Sequence, residues 1–219
     1  MVNVIGLGYI GLPTALMMAA HGVKVIGTDY NKELVSTLNA GRTTFKEEGL
    51  DELFEKAVEL GITFSTEYQI TDTYIVSVPT PYDEESKKID AKYVESAVST
   101  ILEICPKGAV IVIESTVSPG TLDKYVRPLM IRKGFIIGQD IHLVHAPERI
   151  IPGNMVYELL NNNRTIGADD KEIGERIKKL YASFCNGDIV VTDIRTAEMT
   201  KVVENTFRDI NIAYANELA

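Results

Sequence analysis

The chain has 219 residues, 45% of them hydrophobic and 24% charged, with a formal net charge of −9. That length fits one large domain, or one domain plus part of another. The acidic balance argues against nucleic acid as a partner, since that calls for a basic surface, and no run approaches the ~20 apolar residues of a membrane span. The start, Met1-Val2-Asn3-Val4-Ile5, lacks the basic region of a signal peptide, so a cytoplasmic protein is expected. Cys105 and Cys185 are too few for a disulfide framework and read as inert thiols.

Val2–Ile5 is an apolar run ending in glycines and reads as a buried strand. Residues 12–20 are rich in Ala and Met and read as a helix, with Pro13 in its first turn and Gly22 beyond its end. His21 falls where a helix C-terminus favours a capping cation. A strand over 23–28 follows, then helices over Lys32–Asn39 and 50–60. Strands are expected at 62–65, 73–78, Ala109–Ile113, Ile141–His145, 164–167 and Ile189–Thr192. Helices over 91–103, 121–132 and 171–184 separate most of them, and the charged stretch 82–90 reads as an exposed loop. Alternating strands and helices predict an α/β fold over residues 1–192: a doubly wound, mostly parallel sheet with helices on both faces. Residues 193–219 read as the first part of a long helix. It has neither Gly nor Pro after Ile194 and reaches the last residue without a C-cap, as expected of a piece of a longer chain.

Five motifs carry chemistry. Gly6-Leu7-Gly8-Tyr9-Ile10-Gly11 links the first strand to the first helix. Gly6 permits the tight turn, Gly8 lets a pyrophosphate approach the backbone, and Gly11 lets helix and strand pack closely, with Tyr9 and Ile10 at the helix start. Asp29 ends the second strand, where a carboxylate accepts ribose hydroxyls and repels a 2′-phosphate, so NAD is expected rather than NADP. Val78-Pro79-Thr80-Pro81 and Glu114-Ser115-Thr116-Val117-Ser118-Pro119-Gly120-Thr121 follow the fourth strand and the Ala109–Ile113 strand. Alone they could be a stiff turn and a helix start capped by Ser118 or Thr121. Pro147-Glu148-Arg149-Ile150-Ile151-Pro152-Gly153 places an acid and a base between prolines, a pattern that on its own is usually a surface pair. In the final helix Glu198, Lys201, Asn205, Arg208 and Ile212 share one face, polar over its first three turns. The apolar residues around it predict a largely buried helix, on which such a stripe is costly unless paired or functional.

In this order the motifs resemble the UDP-glucose/GDP-mannose dehydrogenase family, from Gly6 to Glu217. The stretch 147–153, the run 195–201, Asn205, Phe207-Arg208-Asp209 and Asn211-Ile212-Ala213 look most like the branch that oxidises UDP-N-acetylmannosamine. The UDP-glucose branch has Phe-Leu where Arg149-Ile150 stand and a Glu where Pro152 stands. The resemblance implies a Rossmann NAD-binding half with NAD as cofactor, a UDP-sugar as substrate, and a homodimer through the long helix. It implies oxidation of the sugar C6 alcohol to a carboxylate by two NAD⁺, through a thiohemiacetal and a thioester on a cysteine. Thr116 and Glu148 would then place and activate water, Lys201 would stabilise oxyanion character at C6, and Asn205 would hold the same oxygen or a water. Arg149 and Arg208 would contact the substrate.

The family's cysteine lies in a Gly-x-Cys-x-x-Lys-Asp motif, which surrounds neither Cys105 nor Cys185. The chain is therefore expected to bind NAD without turning over. Two other readings stay open: a β-hydroxyacid dehydrogenase, which also joins a Rossmann domain to a long helix with Lys and Asn four apart, and a non-catalytic NAD-binding module. No metal site is expected, since His142 and His145 on one strand point to opposite faces.

Overall fold

The computed structural model describes residues 1–85 and 87–218. In chain order the elements are β1 (Val2–Ile5), α1 (Gly11–Ala20), β2 (Val25–Thr28), α2 (Lys32–Asn39), α3 (Leu50–Glu59), β3 (Thr63–Ser65), β4 (Thr73–Val76), β5 (Tyr82–Asp83) and β6 (Lys88–Ile89). There follow α4 (Lys92–Ile104), β7 (Ala109–Ile113), a π-helical turn (Leu122–Val126), α5 (Arg127–Arg132), β8 (Ile141–His145), α6 (Met155–Asn161), β9 (Arg164–Ala168), α7 (Lys171–Tyr181), β10 (Ile189–Thr192) and α8 (Ile194–Leu218).

Eight strands form one sheet in the order β10-β9-β8-β7-β4-β1-β2-β3. Strand order reverses at β1, which pairs β2 on one side and β4 on the other. Every pairing in this sheet is parallel except β8 with β9, where Val144 faces Ala168 and His145 faces Gly167. Alternate side chains feed two cores. Val2, Val4, Ile75, Val110, Val112 and Val144 pack on one face, and Ile5, Tyr74, Val76, Ile111, Ile113 and Leu143 on the other. This is the period-2 pattern of a sheet covered on both sides.

Helix α1 is buried along its whole length, which suits its unbroken apolar composition. His21 closes it, its Nδ1 donating to the Met17 carbonyl at 2.8 Å. The expected helix over 121–132 is a π-helical turn that passes into α5, the junction lying beside Pro128, which has no N–H to continue the regular ladder. Helix α6 has seven residues and was not legible beforehand, because it supplies less than two turns of pattern after Pro152-Gly153.

The largest difference lies in α8. Only Ile194, Ala197 and Glu198 are buried on it. Met199, Val203, Phe207 and Ile210 were expected inside, yet they are 48 to 69% exposed. The first turns pack against β8 and β9, and Arg149 reaches Thr200 and Glu204 from its loop.

Candidate active site

The glycine turn has the local geometry its spacing demands. Gly6 adopts φ +88°, and a Cβ there would stand 2.7 Å from the Ser77 carbonyl oxygen. A Cβ on Gly11 would stand 1.9 Å from the Gly6 carbonyl oxygen, so helix and turn meet with no room for a side chain. At Gly8 a Cβ would meet nothing within 4 Å, which leaves space above the turn for a ligand. Asp29 is held by the turn it faces: its Oδ2 accepts Leu7 N–H at 2.8 Å and its Oδ1 accepts Asn31 N–H at 2.9 Å. Each oxygen keeps a lone pair for a further donor.

Around this turn lies a cleft of about 410 Å³ at the carboxyl ends of β1, β2, β4 and β7. Gly6, Gly8, Tyr9, Ile10, Asp29, Thr80, Thr116, Glu148 and Lys201 all line it. Open sheets bind ligands at such a point, where strand order reverses. The open space at Gly8, the strictly required Gly6 and Gly11, and the anchored Asp29 fit a dinucleotide. Thr80 ties the walls together, its hydroxyl donating to the Thr116 carbonyl at 2.7 Å. The Tyr9 hydroxyl donates to Glu47 Oε1 at 2.5 Å, and Glu47 also accepts Gly153 N–H at 3.0 Å. Burial, then Glu47, pushes the Tyr9 phenol up to about 12.

A second cleft, of about 290 Å³, opens on the other side of Lys201. Arg149, Asn163, Glu204, Asn205 and Arg208 line it with Lys201. Asn205 and Arg208 therefore share Lys201's helix face but not the glycine cleft. Arg149 is engaged within the fold: it pairs with Glu204, and its Nη2 donates to Thr165 and Thr200 hydroxyls at 3.1 Å each. Burial holds the Lys201 ammonium below its ordinary value; Arg149 and Arg208 push the same way, while Glu148 and Glu204 oppose them.

Glu198, expected on the polar stripe, is fully buried and does the capping assigned beforehand to Ser118 or Thr121. It accepts Gly120 N–H at 2.5 Å and Leu122 N–H at 2.9 Å. It thereby pins α8 to the segment after β7 and sets Lys201, one turn on, at the cleft.

The cleft floor holds groups that sequence reasoning passed over. Glu114 is 1% exposed and accepts the Ser77 hydroxyl at 2.6 Å, the Tyr181 hydroxyl at 3.0 Å and the Thr14 hydroxyl at 3.3 Å. Arg164 is buried beside it and pairs with Glu148, whose Oε1 accepts Arg149 N–H at 2.6 Å. A charged residue opening an otherwise uncharged strand was the available signal for Arg164. Among the described residues no group of three His, Cys, Asp or Glu side chains is arranged to hold a metal ion, and no helix is long and apolar enough to cross a membrane.

Residues 1–185 match the UDP-glucose/GDP-mannose dehydrogenase family, NAD binding domain, and residues 195–219 match the central domain of the same family. The UDP-N-acetyl-D-mannosamine dehydrogenase of Methanococcus aeolicus is 45% identical over 99% of this chain and 49% of its own length. The solved UDP-N-acetyl-mannosamine dehydrogenase of Staphylococcus aureus is 45% identical, with a TM-score of 0.91 over 99% of this chain and 53% of that one. The GDP-mannose dehydrogenase of Pseudomonas aeruginosa, at 25% identity, still gives a TM-score of 0.90, over 99% of this chain and 51% of that one. The chain thus spans about half the length of such relatives. It belongs to the UDP-glucose/GDP-mannose dehydrogenase family, of which it carries the NAD-binding domain.

Proposed function

We propose that this chain is the cofactor-binding half of a UDP-sugar 6-dehydrogenase whose substrate is UDP-N-acetylmannosamine. The observation that carries the reading is the position of Lys201, which lines both the glycine cleft and the cleft of Arg149, Asn205 and Arg208. An ammonium between a cofactor and a sugar stands where a C6 alkoxide develops, and stabilising it is electrostatic catalysis. NAD, when bound, supplies the hydride acceptor. Gly6, Gly8, Tyr9, Ile10 and Gly11 receive the pyrophosphate, Asp29 the adenosine ribose, and Thr80 and Thr116 the nicotinamide end. Glu148 and Thr116 place and activate water, Asn205 holds the C6 oxygen or that water, and Arg149 and Arg208 contact the substrate.

The reaction takes the alcohol to the acid in two hydride transfers, with a cysteine holding the aldehyde as a thiohemiacetal and then a thioester. Neither thiol of this chain suits that role. Cys185 is buried and donates to the Asn162 carbonyl at 3.3 Å, and burial pushes the Cys105 thiol up. The reading therefore takes residues 1–192 as the NAD-binding domain and 193–219 as the start of a helix leading to a UDP-binding domain that brings the cysteine. The exposed apolar residues of α8, from Met199 to Leu218, are the surface a second copy of the chain would cover.

Calorimetry with the 219-residue chain should show NAD binding and much weaker NADP binding, with no NADH formed from UDP-N-acetylmannosamine. The full-length dehydrogenase should form about two NADH per sugar consumed. Steady turnover by the 219-residue chain, or oxidation of hydroxyacids but not UDP-sugars by the full-length protein, would overturn the reading.

A further inference from the structure

Because β9 runs against β8, its first residue, Arg164, stands at the same sheet edge as the carboxyl ends of the parallel strands. That edge is the floor of the cleft. The Arg164 guanidinium lies over the Tyr181 ring at 4.7 Å and the Phe184 ring at 5.4 Å, which holds its plane in place. Its Nη2 meets Glu148 Oε2 as an ion pair without hydrogen-bond geometry, and its Nε and Nη1 find no acceptor among the described residues. Tyr181 in turn joins Arg164 to Glu114.

Two carboxyls and one guanidinium are thus enclosed together, each with 5% exposure or less. A buried charge is tolerated when paired and costly when not. One cation compensates one carboxylate, so the second carboxyl is cheapest when it keeps its proton. Their surroundings divide the roles. Glu148 has the cation and a backbone N–H as partners. Glu114 has three hydroxyls, which accept as readily as they donate and so accommodate a neutral acid. Consistent with this, burial first and the Glu148 charge second push Glu114 up to about 7, with Arg164, Ser77 and Tyr181 pulling it back. For Arg164, burial works against its charge, and the Glu148 carboxylate favours it.

We infer that Arg164 is a positioning residue for the reaction: it holds the Glu148 carboxylate oriented at the cleft floor. The inference rests on the proposed role of Glu148 in activating water. The charged or titratable groups that face Glu148 are Arg164 from β9, Glu114 from the end of β7, Tyr181 from α7, Lys201 from α8 and Arg149 from its own loop. His145, at the end of β8, is buried and its imidazole is pushed down to about 4, so it adds no charge near neutral pH.

The test compares Arg164→Met, Glu148→Gln and the double variant in the full-length dehydrogenase. Arg164→Met should lower kcat about 100-fold, the scale of one general acid or base. NAD affinity should stay within about twofold, and the acid limb of the pH–rate profile should move to higher pH. In the Glu148→Gln background the same change should cost under about twofold, since Arg164 acts through the group already removed. Unchanged kcat and limb in Arg164→Met, or a double variant losing the product of both effects, would overturn the inference. If Arg164→Met does not fold, Arg164→Lys should shift the limb in the same sense, and an unmoved limb counts against the inference equally.

Infrared spectra of the 219-residue chain decide it without turnover. Arg164→Met should add a protonated-carboxyl band that Glu148→Gln removes, and absence of the added band would refute the inference. A wild-type enzyme inert toward UDP-sugars would instead sink the proposed function.

Discussion

Replacing Glu114 by glutamine removes one titratable group from the cleft floor while keeping its shape. The amide can donate to Ser77 and still accept Thr14 and Tyr181, so it mimics the protonated acid. In the unfolded chain a glutamate releases its proton near 4.5, and in the fold Glu114 does so near 7. Between those values the native state binds the extra proton, so stability falls as pH rises. At about 1.4 kcal/mol per pH unit the loss reaches about 3 kcal/mol by pH 7 and is absent below 4.5. His145 works in the opposite sense. Burial moves it from 6.5 down to about 4, so the unfolded state binds the extra proton and stability falls as pH drops through that interval, by about 3 kcal/mol. In the wild type the two slopes nearly offset between pH 4.5 and 6.5. Glu114→Gln removes one of them. Urea unfolding followed by circular dichroism at steps from pH 4.5 to 7.5 should show the variant gaining about 3 kcal/mol on the wild type across the range. Other groups titrate alike in both proteins and cancel in the difference. Parallel curves would mean that Glu114 ionises in the fold as it does in water, and the account of the buried cluster would fail.

Gly11→Ala places a methyl 1.9 Å from the Gly6 carbonyl oxygen, so it should destabilise by about 3 kcal/mol or more in urea unfolding and weaken NAD binding in calorimetry. Glu198→Ala strands the buried Leu122 N–H and the half-buried Gly120 N–H; set against the desolvation of the lost carboxylate, a net cost of about 2 kcal/mol is expected. Hydrogen exchange should speed up selectively in the first turns of α8, and uniform exchange would remove Glu198 as the pin. Asp29→Asn keeps one acceptor where the carboxylate served two backbone donors and a ribose. NAD affinity should fall about tenfold and the margin over NADP should narrow, both readable by calorimetry.

The fold was legible in the chain because its signals are local. Strand β7 is a continuous apolar run and β1 is apolar but for Asn3, α1 begins at a glycine turn, and Gly6 and Gly11 sit where any Cβ would strike backbone. The cofactor residues could be read for the same reason, since the turn, the helix start and Asp29 lie within 24 residues of one another. Composition reports how apolar α8 is, whereas burial depends on what lies opposite it, and within this chain only its first turns meet the sheet. Glu198 shows the same limit from the other side: its place on a polar stripe at helical spacing suggested a surface or functional group, and the N–H donors it accepts are 76 and 78 residues away.

The cleft floor was hardest to see because it exists only through a reversal of strand direction. Run β9 parallel to β8 and Arg164 would fall at the opposite edge of the sheet, leaving Glu148 without its buried guanidinium. A single antiparallel pairing in an otherwise parallel sheet is thus what brings a guanidinium to the ligand edge. No periodicity in Arg164-Thr165-Ile166-Gly167 announces the direction in which that strand runs. The one trace available was a charged residue at the head of a strand whose other members carry no charge. Such a residue, buried only 16 positions beyond an acid in a proline-bounded loop, asks for a partner, and Glu148 is the acid it meets.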